Sequence, residues 1–424
     1  MKKFITLCIT ILCFVLSQAQ DFDQYFTNKT LRINYLHIGD SRTESMRVCE
    51  FHAGGIWSGT HKYLIEPDRY GDILFQVFDS ISGQLIYSRS YSCLFGEFRT
   101  TERATTESGS FEECITLPFP KNSIRFVFTS YNRRQEGTEI CSGYFNPNST
   151  PTIPFVKEYK TMNLHIGGKS ENCLDILFIP DGYAKQDEAK LKKDMKAFAR
   201  HIIHCSPYKN HLSEVNIRAI VGFSEESGIT DPNAGVRRST LLNSSYNVID
   251  VDRYLMCLNV WKMNDIADDA PYDAIIIIAN SPKYGGGGIY NFYATVCNGA
   301  PQADYVIVHE MGHSIAGLAD EYYTSEVSVS DFYPTDIEPI EPNVTTLVNF
   351  DLKWKQMLAP KTPVPTPSTT EYDTTLGVFE GGGYVAEGVY RPWRHCTMKE
   401  IRYDNFCPVC TWAIEKAIQY YSGK

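Results

Sequence analysis

The sequence lacks an apolar run long enough to cross a membrane. Its longest largely apolar run, residues 4–16, spans 13 residues, whereas a membrane-spanning helix needs roughly 20. Two lysines precede this run and Ser17-Gln18-Ala19 follows it, which is the order of regions in a secretory signal peptide. We therefore expect residues 1–19 to be a signal peptide cleaved after Ala19, and the mature protein to be secreted, periplasmic or held at the cell surface.

The sequence also has no excess of basic charge. Lysine and arginine number 40 against 50 aspartate and glutamate residues, which gives a formal net charge of −10. Binding to nucleic acid depends on clustered positive charge. Nucleic acid is therefore not expected as a partner, and the composition leaves the oligomeric state open.

Histidine is scarce, with 10 in 424 residues, yet two occur in the motif His309-Glu310-Met-Gly-His313. On a helix these two stand four residues apart on one face and can bind one metal ion. Neutral imidazoles bind Zn²⁺ at about 2.0–2.1 Å, and an adjacent carboxylate can take the proton from a zinc-bound water that attacks a carbonyl. The motif predicts a catalytic Zn²⁺ with His309 and His313 as ligands and Glu310 as the base.

The residues around this motif favour a helix. Asp304 can cap its start, and Gly317 can end it because glycine accepts the left-handed conformation. Apolar residues form a flank through the motif: Val306, Val308, Met311, Ile315 and Leu318. We therefore expect one amphipathic helix to carry both histidines and Glu310.

The region from residue 20 to 154 shows the short alternating pattern of β-strands. It has no helical periodicity and no catalytic constellation, so an all-β sandwich is the expected form. Residues 146–154 are rich in Pro, Asn and Thr and predict a linker. The role of this region stays open between structural support and binding of a substrate or glycan. The predicted strands lie near residues 31–35, 72–78, 85–87 and 124–128.

From residue 155 to 424 strands alternate with helices, which predicts an α/β catalytic domain. Buried strands are expected at residues 174–179, 216–221 and 273–279, with helices at residues 191–202, near 252–261 and at 408–421. Between the last strand and the histidine motif lie four glycines, Gly285–Gly288. They are either a flexible loop or an edge strand along which a peptide backbone can lie.

Eleven cysteines remain after removal of the expected signal peptide, an odd and widely spaced set. Cys407-Pro-Val-Cys410 has the spacing of a redox pair, but no thioredoxin-like strand precedes it. We expect a disulfide between Cys396 and one of these two cysteines instead.

These motifs resemble the bacterial IgA-peptidase family of secreted zinc metallopeptidases. The resemblance rests on residues 309–322, supported by Ile179-Pro-Asp-Gly-Tyr183 and Glu225-Glu-Ser-Gly228, and covers roughly residues 155–424. It implies a metzincin-like zinc peptidase domain preceded by an all-β sandwich. It also implies hydrolysis of internal peptide bonds in a protein or glycoprotein substrate, immunoglobulin A among them. In metzincins a methionine turn lies beneath the metal, for which Met398 is the natural candidate here.

The third metal ligand departs from the metzincin pattern, because no histidine follows the glycine at the usual position. Asp320, Glu321 and Glu326 compete for this role. Gly317-Leu-Ala-Asp320 keeps the glycine-to-ligand spacing of the metzincin motif, so we expect Asp320 to bind the metal and Glu321 to orient a ligand.

Two tyrosines, Tyr384 and Tyr390, are candidates to stabilise the oxyanion, because a phenol donates well to developing negative charge. The sequence does not choose between them. Two other interpretations of the function remain: the protein is a non-catalytic glycoprotein-binding protein with a structural zinc, or it is a metal-dependent amidase. A structural zinc is usually held by four Cys or His ligands, and no cysteine lies near His309 in the sequence.

Overall fold

The structure, a computed structural model, describes residues 21–323, 333–400 and 405–424. The expected signal peptide at residues 1–19 and the alternative ligand Glu326 lie outside these ranges. Among the described residues, no helix combines the length and apolar character needed to span a bilayer.

The N-terminal part consists of two four-stranded sheets. One has the strand order β5-β1-β2-β8 and the other β4-β3-β6-β7. Side chains such as Ile33 from the first sheet and Phe75 and Phe128 from the second share one apolar core, as expected for a sandwich. The elements are α1 (Phe22–Tyr25), β1 (Phe26–Gly39), β2 (Glu44–Ala53), β3 (Ile73–Asp79), β4 (Leu85–Tyr91), α2 (Leu94–Phe98), β5 (Gly109–Pro120), β6 (Ile124–Tyr131), β7 (Gly137–Phe145) and β8 (Ile153–Pro154).

The C-terminal part is a mixed α/β structure around a six-stranded sheet of order β13-β14-β12-β10-β11-β9. Its four inner strands are parallel, and the two edge strands β13 and β9 are antiparallel to their neighbours. The elements are β9 (Lys160–Ile166), β10 (Leu174–Asp181), α3 (Glu188–His204), β11 (Val215–Val221), α4 (Val260–Ala267), β12 (Ala274–Ala279), β13 (Gly286–Ile289), β14 (Tyr293–Cys297), α5 (Ala303–Ala316), β15 (Phe379–Gly382), β16 (Val385–Arg391) and α6 (Pro408–Ser422).

The structure confirms the predicted strands and most of the predicted helices. Their apolar residues are spaced as the burial of one or both faces requires. Every residue of β10 is buried, as a central parallel strand with both faces covered requires. The expected helix near residues 252–261 is wrong: α4 begins only at Val260. The chain before it is extended, since Tyr254 pairs with Gly286 and Met256 pairs with Ser245.

The N-terminal and C-terminal parts meet in a buried ionic contact, which was not expected of two domains joined by a linker. The fully buried guanidinium of Arg32 lies 3.0 Å from Asp268 and also pairs with Asp265. Nearby, the indole nitrogen of Trp261 donates to the carbonyl of Glu113 at 2.8 Å. Strand β1 and helix α4 therefore hold the N-terminal sheets against the C-terminal part.

Helix α5 carries the histidine motif and ends where expected. Gly317 is its C-cap with a φ of 60°, and its N–H donates to the carbonyl of His313. A left-handed residue at this position stops the helix and turns the chain back. The start differs from the prediction, because Gln302 precedes the first helical residue, Ala303, and Asp304 lies in the first turn.

Candidate active site

Two imidazoles and one carboxylate converge on a single point beside helix α5. Nε2 of His309 lies 3.2 Å from Nε2 of His313. Oδ1 of Asp320 lies 3.1 Å from the first nitrogen and 3.3 Å from the second. Ligand atoms about 2.0–2.1 Å from a tetrahedral zinc are spaced by about 3.3 Å. The three atoms therefore have the spacing of a zinc ligand set.

The tautomers of both histidines leave their inner nitrogens free for a metal. Nδ1 of His309 lies 2.9 Å from the carbonyl of Thr397, and Nδ1 of His313 lies 2.6 Å from the carbonyl of Leu318. A carbonyl only accepts, so each Nδ1 is the protonated donor, and Nε2 is the nitrogen that each ring, when neutral, offers to a metal. Tyr305 also contacts Nδ1 of His309, at 3.1 Å.

Asp320 brings the negative charge to this cluster. Its buried Oδ1 faces Nε2 of both histidines at ion-pair distance. A buried carboxylate needs a compensating positive charge, so a cation between the three atoms fits the site. Burial lowers the pKa of His313, but the charge of Asp320 outweighs this effect and raises the pKa to about 9.

Two tyrosines hold the second oxygen of Asp320. The hydroxyl of Tyr322 donates to Oδ2 at 2.8 Å, and the hydroxyl of Tyr384 donates to the same atom. These bonds fix the carboxylate with Oδ1 toward the histidines. Hydrogen bonds of this kind orient metal ligands and raise metal affinity.

Glu310 lies beside the cluster. A carboxylate oxygen of Glu310 and the ring nitrogens of both histidines lie within 4.8 Å of one another. Burial raises the pKa of Glu310, and the two imidazoles oppose that shift. The carboxylate therefore lies beside the point on which the two imidazoles converge.

The cluster opens into a cavity of about 570 Å³. Strand β13, Tyr305 and Tyr384 line it on the C-terminal side, and Tyr70, Glu97 and Arg133 line it from the N-terminal part. Tyr70, Glu97 and Arg133 could not be predicted as cavity residues, because nothing in the sequence of a β-rich segment marks the side chains that contact another part of the chain.

The two candidate tyrosines lie in different places. Tyr384 lines the cavity and contacts Asp320. Tyr390 lies in β16, where its backbone pairs with Thr345, and it is not among the residues that line the cavity. The structure thus brings Tyr384, and not Tyr390, to the cluster of His309, His313 and Asp320.

The glycines at 285–288 allow strand β13 to lie directly against its neighbours. A Cβ at Gly288 would come within 2.4 Å of the carbonyl oxygen of Glu310, and one at Gly285 within 2.4 Å of Tyr246. At Gly287 it would meet Tyr254 at 2.7 Å. The missing side chains therefore make room for helix α5 and the flanking aromatic rings, and the strand edge reaches the cavity wall.

Met398 lies beneath the histidine helix. Its sulfur would be 2.7 Å from a Cβ at Gly312, and its side chain is fully buried. Its carbonyl accepts from the N–H of Glu321 at 2.8 Å. The segment around Met398 therefore supports α5 from below and joins the loop that presents Asp320.

The two supporting motifs of the family resemblance lie against each other, away from the cavity. The N–H of Gly228 donates to the carbonyl of Gly182 at 2.9 Å. Asp181, fully buried, accepts from the N–H groups of Leu242 and Ser244, each at 3.0 Å. These residues shape the loops that follow β10 and β11, and none of them lines the cavity.

Comparison with known families agrees with this arrangement. The profile described as IgA Peptidase M64 matches residues 162–374 and 368–418. The profile described as Peptidase M64 N-terminus matches residues 21–142. A search of curated proteins found no match. Because the peptidase profile covers more than half of the chain, including the histidine helix, the chain belongs to the IgA Peptidase M64 family and is a peptidase.

Proposed function

We propose that this peptidase is an exported, zinc-dependent endopeptidase in which His309, His313 and Asp320 hold the metal and Glu310 is the general base. The observation that carries the proposal is the convergence of three atoms: Nε2 of His309 and Nε2 of His313 lie 3.2 Å apart, and Oδ1 of Asp320 lies 3.1 and 3.3 Å from them. An N₂O set of this kind is typical of catalytic zinc sites, which keep a position open for water or substrate.

When bound, zinc supplies Lewis acidity, which polarises the scissile carbonyl and lowers the pKa of a bound water to about 7. Glu310 accepts the proton of the attacking water and returns it to the leaving amine. Thr397 and Leu318 keep both histidines in the ligand tautomer through their carbonyl groups. Tyr384 lines the cavity and holds Asp320, and its hydroxyl would donate to the oxyanion by exchanging its bond to Asp320, whose Oδ2 also accepts from Tyr322.

The shape of the cavity supports a polypeptide substrate. Gly286–Ile289 in β13 form part of its wall. Gly286 already pairs with Tyr254, so an extended peptide would align with this edge strand at residues 287–289 through main-chain hydrogen bonds. The N-terminal residues Tyr70, Glu97 and Arg133 also line the cavity. We propose that residues 20–154 are a separate sandwich domain that contributes to substrate binding, and that the catalytic domain spans residues 155–424.

The remaining features of the proposal come from the family and the sequence. The glycine at the end of α5 and Met398 beneath it support a metzincin-like catalytic domain. Residues 1–19 support export. The family name supports immunoglobulin A or another glycoprotein as a substrate to test first.

Metal analysis combined with a digestion assay tests the proposal. The purified protein should contain zinc and cut casein or immunoglobulin A at internal bonds, chelators should stop the reaction, and added zinc should restore it. Zinc without any hydrolysis would indicate a binding protein with a structural metal. Hydrolysis of small amides without cleavage of proteins would indicate an amidase.

A further inference from the structure

A second cluster of metal-ligating side chains lies below the active site. It consists of Glu321, Cys396, Cys407 and Cys410, and one ligand atom of each lies within 4.8 Å of the others. All four side chains are buried, with Glu321, Cys396 and Cys410 completely inaccessible. The eleven cysteines of the described residues are all free thiols, so the expected disulfide to Cys396 is absent although the three cysteines do lie together.

The spacing of the four ligand atoms fits one tetrahedral metal ion. The sulfur atoms of Cys396 and Cys410 are 3.7 Å apart. Oε1 of Glu321 lies 3.1 Å from the sulfur of Cys410 and 4.0 Å from that of Cys407. With Zn–S bonds of about 2.3 Å and a Zn–O bond of about 2.0 Å, tetrahedral ligands are spaced by about 3.8 Å for two sulfurs and about 3.5 Å for sulfur and oxygen.

Backbone N–H groups point at two of the three sulfur atoms. The N–H groups of Met398 and Cys407 point at the sulfur of Cys396, at 3.5 and 3.3 Å, and the N–H of Cys410 points at the sulfur of Cys407, at 3.4 Å. Cys407 is the N-cap of α6, a helix of 15 residues whose N-terminus attracts negative charge. Such contacts are those that stabilise metal-bound thiolates.

The carboxylate of Glu321 lacks the partners that a buried charge requires. Oε1 accepts from the side-chain amide of Asn343 at 3.1 Å, but Oε2 has no hydrogen-bond partner in the described residues. A metal ion would neutralise this carboxylate. One disulfide could join only two of the three thiols, so it would leave the third thiol and Glu321 without partners.

We propose that Glu321, Cys396, Cys407 and Cys410 form a second zinc site that is closed to substrate and structural. It joins two segments that also serve the catalytic site. Glu321 follows Asp320, and Cys396 precedes Thr397, whose carbonyl accepts from His309 at 2.9 Å. A zinc ion here fixes both segments against α6 and so positions Asp320 and His309 without touching substrate.

Metal counting and cobalt substitution test this site independently of peptidase activity. The purified chain should hold two zinc ions, and the double variant H309A/H313A should keep one. After cobalt replacement, that variant should show thiolate-to-cobalt charge-transfer absorption in the near ultraviolet. Cys407→Ala, added to H309A/H313A, should abolish this band. In the otherwise wild-type chain, Cys407→Ala should remove one zinc. Cys297→Ala, which also removes a buried thiol, should keep both zinc ions and the band.

Thiol counting on the wild-type chain keeps the test decisive if Cys407→Ala does not fold. Alkylation in denaturant with a chelator and without reductant should modify Cys396, Cys407 and Cys410. A disulfide between any two of them would overturn the proposal, as would a single zinc in the wild-type chain that disappears in H309A/H313A. A single zinc that persists in H309A/H313A would instead support the second site and refute the catalytic one.

Discussion

Asp320 and Glu321 are neighbours in the sequence, yet their carboxylates belong to two separate clusters. Oδ1 of Asp320 lies 3.1 Å from Nε2 of His309, and Oε1 of Glu321 lies 3.1 Å from the sulfur of Cys410. The turn at Gly317 brings both residues under α5, and the N–H of Glu321 is fixed by the carbonyl of Met398. One short loop therefore connects the proposed catalytic metal with the proposed structural one.

Replacing the two carboxylates should separate their roles. Asp320→Ala should lose the catalytic zinc and all activity, because it removes a ligand from a three-residue set. Glu321→Ala should keep zinc at His309 and His313 and lose the ion bound by the cysteines. Zinc content of each variant, measured with cobalt spectra, checks this. If Glu321→Ala lost the catalytic zinc and Asp320→Ala kept it, the two assignments would be exchanged.

Glu310→Gln should leave zinc bound and the fold intact while hydrolysis falls by about 10²–10⁴-fold, because a general base contributes roughly that factor. Steady-state cleavage of casein and zinc analysis of the same sample are the measurements. Ser314→Ala, on the same helix and buried, is a control that should keep its activity. Wild-type rates in Glu310→Gln would refute the base assignment.

Tyr384→Phe should lower kcat by about 10²-fold if its hydroxyl stabilises the oxyanion, or weaken zinc binding by about 10–100-fold if it acts only through Asp320. Comparing kcat with the zinc dissociation constant distinguishes the two. Tyr390→Phe is the matched control and should change neither quantity, because Tyr390 is not among the residues that line the cavity. An effect confined to Tyr390→Phe would reverse the choice between the tyrosines.

Arg32→Met should lower the free energy of unfolding by about 3–5 kcal/mol, because it leaves Asp268 buried without its partner. Arg134→Met is the matched control. Arg134 also joins the N-terminal part to the C-terminal part through Asp336, at 2.9 Å, but the side chains of both partners are exposed, so the loss of stability should be much smaller than for Arg32→Met.

Urea unfolding of both arginine variants measures this difference. The fragments 21–154 and 155–424, expressed separately, show whether each part folds alone, as two domains should. Equal stabilities of the two variants would mean that the buried pair does not hold the parts together. If neither fragment unfolds in a cooperative transition, the proposed domain boundary between residues 154 and 155 is wrong.

The N-terminal part should lose stability at alkaline pH through His37. This buried ring lies 2.9 Å from both Glu44 and Glu113, and the sulfur of Cys93 lies 3.6 Å from its Nδ1. Burial lowers the pKa of His37, but the charge and hydrogen bond of Glu113, helped by Glu44, raise it from 6.5 to about 9. The stabilisation is therefore complete below pH 6.5 and is lost as the pH rises through 9.

The size of this effect is at most about 3–4 kcal/mol, since one pKa unit corresponds to about 1.4 kcal/mol. Thermal unfolding between pH 6.5 and 9 should show a falling midpoint in the wild type and a flatter profile in His37→Gln. His204→Gln, at an exposed position, should retain the wild-type profile. A pH profile of His37→Gln that matches the wild type would contradict the assignment.

Much of the fold followed from the sequence because periodicity records burial. The run of apolar residues in β10 and the spacing of Leu191, Met195 and Phe198 in α3 predicted elements that the structure confirms. The helix near residues 252–261 was predicted wrongly, because pairing of Tyr254 with Gly286 keeps that stretch extended. A local pattern cannot record a contact with a distant strand.

The sequence by itself determined the helix of His309 and His313, since a spacing of four residues places both rings on one face whatever surrounds them. Only the tertiary structure decided that Asp320 meets those rings, that Thr397 holds His309 across 88 residues of chain, and that Glu321 joins three cysteines. Positions within an element follow from backbone geometry. Contacts between elements depend on how the sheets and helices pack, and packing is a property of the whole chain.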